Sequence, residues 1–377
     1  MSTVSEMLSS LREVSEHPAA QLDDTLAAGR KAVGVLPYFC PEELVYAAGM
    51  LPFGLWGAEM QANESKRYYP AFICSLLHTA LELGLRGALS GLSAIMVPIC
   101  CDSLKGFGAN WKYGVGEPVP VIDVAWAENR KTPAGAAFTR IQFRKILRRL
   151  EEIAQRPVSD ADIAAAVAVY NENRAALRAF SAAAARHPET VSPADRCAAL
   201  KAGYFMDRAE HTAVIRALTA ALEALPEREW TGLRVVTIGI LADSPALLQI
   251  LADNRIAVAD DQIAQESVFF RTDTPVTADP VEGMAQRLGQ IEGCSVLFDP
   301  GKQRGKELID LARRAKADGI LWVMTKFCDP EEYDYVPVKR MADAAGIPLL
   351  AVETDQQMVN YEQARSAIEA FAEMLRM

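Results

Sequence analysis

Apolar residues recur along this chain in two rhythms, and their alternation predicts the architecture. Over the first part, short continuous runs bounded by Gly or Pro ("AVGVLPYF", "LPFGLWGA", "SAIMVPIC", "VPVIDVAW") are separated by helical stretches such as "PEELVYAAGM" and "SLLHTALELGLRGAL". A second series, "RVVTIGIL", "RIAVADD", "CSVLFDP", "GILWVMTKF" and "IPLLAVETD", alternates with "PALLQILADN", "KELIDLARRAKAD" and "VKRMADAAG". Runs of this length without polar alternation suit strands buried on both faces, hence parallel sheets covered by helices. Between the two series, from about residue 138 to residue 228, the pattern is helical throughout. Its Ala-rich centre, "DADIAAAVAVYNENRAALRAFSAAAARHP", ends near Pro188. The expected fold is α/β, with two doubly wound parallel-sheet domains and an intervening helical segment. Residues 1–228 form the expected N-terminal domain with that segment, and residues 229–377 the C-terminal one.

Composition narrows the function classes. A chain of 377 residues exceeds what one ordinary core organises. The formal charge of −10 argues against a nucleic-acid partner, because such affinity rests on cations that neutralise phosphates. The basic cluster "FRKILRRLEE" runs straight into acids and reads as a solvated helix face. No apolar run reaches the roughly 20 residues of a membrane span. The N-terminal stretch lacks a basic region followed by an apolar one, so a cytoplasmic location is expected. Seven cysteines in such a setting are not expected to pair as disulfides, and none forms a Cys-x-x-Cys unit. Only four histidines occur, and His187 and His211 read as exposed helical positions, so a histidine-rich metal site is not expected.

Candidate chemistry gathers at strand ends, where open α/β sheets place their ligands. In the first series Cys100 and Cys101 end the run "AIMVPIC" and are followed by Asp102. In the second, Cys328 ends "ILWVMTKF" and is followed by Asp329. The same figure in both halves would bring two thiols to one cleft; the shared Cys-Asp favours Cys101 over Cys100. Cys74 opens the helix "SLLHTALELGL", where free N–H groups and the helix dipole stabilise a thiolate and offset the charge of an iron–sulfur cluster. Three converging thiolates point to iron–sulfur or zinc ligation. Cys40 is a reserve candidate; Cys197 and Cys294 read as buried small hydrophobes. Asp102 and Asp329 fit helix caps at least as well as groups that tune a metal. Glu43 and Glu59 follow early strands and are the candidate acid–base residues, although each reads more simply as a solvated or first-turn carboxylate. Lys302, Arg304 and Lys306, in "DPGKQRGKEL", are a candidate phosphate contact that reads more simply as a charged loop.

Six stretches, "CPEELVYAAGMLPFGLWG", "YPAFICSLL", "PICCDSLKGFGANWK", "GILADSPALLQILADNRIAVADDQIAQESVFFRTD", "MTKFCDPEEYDYVPVKR" and "VETDQQMVNYEQARSAIEAFAEML", occur in an order and spacing that resembles the 2-hydroxyacyl-CoA dehydratase family, component D. The chain is similar in type to the smaller (β) subunit of (R)-2-hydroxyisocaproyl-CoA dehydratase. The resemblance implies two α/β domains with a [4Fe-4S] cluster in the cleft between them, held by Cys74, Cys101 and Cys328. It implies a heterodimer with a related larger subunit, and an ATP-hydrolysing iron–sulfur activator that delivers one electron. The implied reaction is loss of water from an (R)-2-hydroxyacyl-CoA through a ketyl radical to the 2-enoyl-CoA, with this chain relaying the electron. Such machinery answers a physical difficulty: the β-proton is not acidified by the thioester, and acid–base catalysis worth about 10²–10⁴-fold falls short. The alternatives are a benzoyl-CoA reductase subunit, a homodimeric double-cubane reductase and a non-enzymatic subunit. Asp355, Gln356 and Arg365 belong to the family's C-terminal signature, with no role that spacing reveals.

Overall fold

The uninterrupted apolar runs become strands because the central strands of both sheets are covered on both faces, while the edge strands Val121–Val124 and Leu349–Thr354 expose Asp123 and Glu353. In the computed structural model, which describes residues 3–36, 39–116 and 118–377, every residue of the strands Ala94–Pro98 and Gly319–Thr325 is buried. The first half runs α1 (Val4–Glu16), α2 (Pro18–Ala27), β1 (Ala32–Val35), α3 (Glu42–Ala47), β2 (Leu51–Gly54), α4 (Ser75–Leu85), β3 (Ala94–Pro98), α5 (Asp102–Gly114) and β4 (Val121–Val124). Four helices follow: α6 (Pro133–Ala154), α7 (Asp160–Arg186), α8 (Pro193–Ala202) and α9 (Arg208–Glu223). The chain then runs β5 (Leu233–Gly239), α10 (Pro245–Asp253), β6 (Ile256–Ile263), α11 (Ser267–Phe270), α12 (Pro280–Gln290) and α13 (Gln303–Arg314). It ends with β7 (Gly319–Thr325), α14 (Asp329–Ala344), β8 (Leu349–Thr354) and α15 (Glu362–Arg376).

Both sheets have four parallel strands and one topology, β2-β1-β3-β4 and β6-β5-β7-β8. The α/β, doubly wound architecture expected from the sequence is therefore present in both halves. Strand order reverses between β1 and β3 and between β5 and β7, which puts the ligand-binding crevices at the ends of those strands. The helices α6 to α9 start cleanly: Ser159 and Asp162 form a reciprocal capping box on α7, and Ser192 and Asp195 another on α8. The largest core joins the first sheet and this helical layer to Leu241, Phe269, Met284, Leu288 and Cys328 from later in the chain. Two smaller cores cover the two faces of the second sheet.

One expected strand is absent. "CSVLFDP" forms turns and irregular chain, because its neighbourhood is tied elsewhere. The buried Arg130 guanidinium donates to the carbonyls of Leu288, Ile291 and Phe298, holding this segment against the first half instead of along a sheet edge. Among the described residues, no helix is long and apolar enough to cross a membrane.

His187 and His211, read from the sequence as exposed, are both buried. Helical spacing does not reveal that α7 and α9 face each other through polar as well as apolar residues. His211 donates from Nε2 to the Ala199 carbonyl (2.9 Å) and accepts at Nδ1 from Asn173 Nδ2 (3.1 Å), so its neutral form is fully satisfied. Burial, with the Arg208 charge beside it, lowers this imidazole from 6.5 to about 4. Above pH 6.5 the folded and unfolded chains are both neutral here, and nothing is lost. As pH falls below 6.5 the unfolded chain takes up a proton that the native site refuses, and stability drops until about pH 4. The loss is on the order of 3 kcal/mol. Denaturant unfolding followed across this range should show the decline in the native chain and a much flatter profile in His211→Gln. Equal slopes in the two would clear His211 of the effect.

Candidate metal centre

Three helices begin at cysteines. Cys74 is the N-cap residue of α4, Cys101 of α5 and Cys328 of α14. The last two stand at equivalent turns, since β3 leads into α5 as β7 leads into α14. Asp102 and Asp329, expected as caps, are instead the first helical residues, where a carboxylate still favours the dipole. Asp102 pairs with Lys105 at the surface. The turn before α14 is sharp: Phe327 adopts φ +63°, an uncommon left-handed conformation for a bulky residue. Strain of this kind costs about 1–3 kcal/mol and persists where surrounding structure imposes it. Here Glu331, fully buried in the first turn of α14, accepts from Arg304 (2.6 Å) and from the Trp322 indole (2.7 Å), pinning the helix start to β7 and α13.

Cys74, Cys100, Cys101 and Cys328 line one cavity of about 430 Å³ at these helix starts. The structure thus brings together the three cysteines singled out in the sequence and adds Cys100. Leu76, Leu77, Val296 and Phe327 supply apolar wall, while Asp102, Lys105 and Tyr333 also reach it. The thiols feel one another. Burial pushes Cys74 up to about 12, helped by the nearby Cys101, and burial with Glu331 and Cys74 raises Cys328 well above the ordinary thiol value. Cys101 is drawn the other way, to about 7, first by the Cys100 thiol hydrogen-bonded to it and also by the Leu104 N–H, which donates to Cys101 Sγ (3.4 Å). Three such thiols cannot all be thiolates without compensating positive charge. The donor set therefore suits a metal group, and three helix N-termini add to the compensation. Among the described residues no three His, Cys, Asp or Glu side chains converge on a single-ion position. Thiols spread around a cavity fit a multi-metal cluster, in which each thiolate binds a different metal at a different corner.

The other candidates lie elsewhere. Cys40 is buried and donates to the Leu36 carbonyl (3.4 Å); Cys197 and Cys294 are also buried, and all seven cysteines are free thiols. Glu43 is buried against the Arg174 guanidinium, with Thr274 donating to it (3.4 Å). Burial pushes its carboxyl up, but Arg174 and Arg287 outweigh this and hold it below the ordinary carboxylate range. Glu59 is exposed, accepts from the Tyr361 hydroxyl (3.4 Å) and lines a separate small cavity of about 20 Å³. Arg304 is buried in ion pairs with Glu331 and Asp334, leaving only Lys302 and Lys306 of the candidate phosphate contact at the surface. Cys100 and Gln356 are the residues whose placement sequence reasoning did not foresee. The adjacent pair Cys100-Cys101 was a signal for the first; the family's C-terminal signature marked the second but not its place in the fold.

Fold and cavity together define a doubly wound α/β protein with a thiol-lined centre at its strand ends. The chain belongs to the 2-hydroxyglutaryl-CoA dehydratase D-component family, whose model matches residues 37–375. It is 42% identical over 376 residues to the (R)-phenyllactyl-CoA dehydratase beta subunit of Clostridium sporogenes, covering 100% of both chains. It is 38% identical over 378 residues to the lactoyl-CoA dehydratase subunit beta of Anaerotignum propionicum, again over 100% of both. Identity to the (R)-2-hydroxyglutaryl-CoA dehydratase subunit beta of Acidaminococcus fermentans is 36% over 377 residues, 99% of this chain and 100% of that one. The family expectation drawn from the sequence motifs is borne out.

Proposed function

We propose that this chain is the β-type subunit of a 2-hydroxyacyl-CoA dehydratase, a lyase that removes water from an (R)-2-hydroxyacyl-CoA to give the 2-enoyl-CoA. The observation that carries the reading is full-length similarity to three dehydratase β subunits in a chain whose strand-end cysteines line one cavity. The family is iron–sulfur-dependent, and in this proposal Cys74, Cys101 and Cys328 hold a [4Fe-4S] cluster. Such a cluster, when bound, supplies the low-potential single electron that the elimination requires. The chain's own residues prepare the site for it. The starts of α4, α5 and α14 offset negative charge, and Leu76, Leu77, Val296 and Phe327 restrict water. Partners in this reading are a related larger subunit, an ATP-hydrolysing iron–sulfur activator and the acyl-CoA; free thiols throughout fit a reducing cytoplasm.

The three relatives act on thioesters with different side chains, so similarity alone leaves the acyl group open. The test is an anaerobic assay of the chain with a larger subunit, the activator, ATP and a reductant. Phenyllactyl-, lactoyl- and 2-hydroxyglutaryl-CoA would be offered in parallel, with benzoyl-CoA as the contrasting substrate. A 2-enoyl-CoA from one of the hydroxyacyl thioesters is expected. Reduction of the aromatic ring in its place would move the protein to the reductases.

A further inference from the structure

The turn after β8 reaches across to the helix that carries Cys74. Gln356 Nε2 donates to the Trp56 carbonyl (2.7 Å), and the Thr79 hydroxyl donates to Gln356 Oε1 (2.6 Å). The Gln356 backbone N–H donates to Ser75 Oγ (3.0 Å), and its carbonyl accepts from the Met60 N–H (3.0 Å). Four groups of one residue thus hold the 56–60 loop and the first turn of α4, beginning at the residue after Cys74. The fit is close. A Cβ at Gly57, whose φ is +71°, would come within 2.3 Å of both Gln356 Oε1 and Thr79 Oγ1.

Behind Gln356 the connection continues to Cys328. Thr354, the end of β8, pairs with Thr325, the end of β7, and its carbonyl accepts from the Lys326 N–H (2.9 Å). The Cys328 N–H in turn donates to the Thr325 carbonyl (3.0 Å). Cys74 comes from the first half and Cys328 from the second, yet they are joined by this short chain of hydrogen bonds with Gln356 at its centre. Glutamine suits the position chemically: it donates to a carbonyl and accepts from a hydroxyl at once, whereas glutamate would set acceptor against acceptor at Trp56.

We propose that Gln356 is a positioning residue that fixes the spacing between the Cys74 and Cys328 thiols across the cavity. The proposal deepens the cluster reading and rests on it for its redox consequence. The clamp itself can be judged without metal. Hydrogen exchange on the metal-free full-length chain should show amides in 57–60 and 75–79 opening about tenfold more often in Gln356→Ala, the effect of losing one or two net hydrogen bonds. Gln357→Ala, in the same turn but bonded to Ala62 and not to α4, should leave 75–79 as in the native chain. After reconstitution with iron and sulfide, Gln356→Ala should lose iron to a chelator about tenfold faster and show a shifted reduction potential, a quantity that a purely structural loss would not move. If Gln356→Ala fails to fold, Gln356→Glu keeps the length and the Thr79 acceptor and should show the same changes in weaker form. Native-like exchange at 75–79 in these variants would overturn the clamp. Faster exchange with an unchanged potential would overturn the link to thiol spacing. A native chain that takes up no iron and sulfide would overturn the cluster reading itself, with exchange still deciding the clamp.

Discussion

If Cys74, Cys101 and Cys328 hold the proposed [4Fe-4S] cluster, replacing Cys328 by Ser is expected to take the anaerobically reconstituted chain from about four irons and four sulfides to a small fraction of that. The reasoning is local. Cys328 caps α14 after a strained turn at Phe327, and the buried ties from Glu331 to Arg304 and Trp322 hold that turn in place. Its position is therefore set by the fold, and a serine hydroxyl in the same place is a harder and far less acidic ligand than a thiolate. The fold should survive, because those ties do not involve the sulfur. Cys197→Ser is the matched control: that thiol lies within α8 and takes no part in the cavity. Iron and sulfide analysis, with an absorption spectrum and circular dichroism on each variant, reads the outcome. Undiminished iron in Cys328→Ser would remove this residue from the ligand set.

The second large effect concerns stability. Glu43→Ala should destabilise the chain by about 3–5 kcal/mol, since it leaves the Arg174 guanidinium buried without its counter-charge. Asn171 and Thr274 still accept from Arg174, at 2.8 and 3.2 Å, but neither carries charge. Denaturant unfolding measures the loss, and joint replacement of Glu43 and Arg174 by apolar residues should recover much of it. Near-native stability in Glu43→Ala together with lost turnover would overturn this structural role and point to proton transfer. The two roles therefore give opposite patterns.

How much of this was legible in the sequence depends on how local each cause is. The strands at Ala94–Pro98 and Gly319–Thr325 could be read because burial on both faces leaves an uninterrupted apolar run. "CSVLFDP" has the same look and is no strand; the contacts that decide it come from Arg130, more than 150 residues earlier. The cavity cysteines were visible because a strand, a Cys-Asp pair and a helix start recur in both halves. That Cys101 and Cys328 themselves occupy the cap positions was not, since cap preferences point to the aspartates beside them. Gln356 is the extreme case. Its partners lie 277 to 300 residues away, and no periodicity or spacing records a bond of that range. Glu43 meets Arg174 at a separation of 131 and reads, in sequence, as an ordinary first-turn carboxylate.

The charged ties between the halves have a consequence for how the chain is made. Arg130, Arg140, Arg144 and Arg196 all emerge from the ribosome before Leu288, Asp279, Asp261 and Glu266, the partners they bury or pair with. The nascent first half must wait with those guanidiniums solvated, and it can close its largest core only when the later helices arrive. Cys328 is among the last of these pieces to appear. In the proposed cluster reading, metal loading would thus be a step for the finished polypeptide, since synthesis that stalls before α14 yields a chain without Cys328.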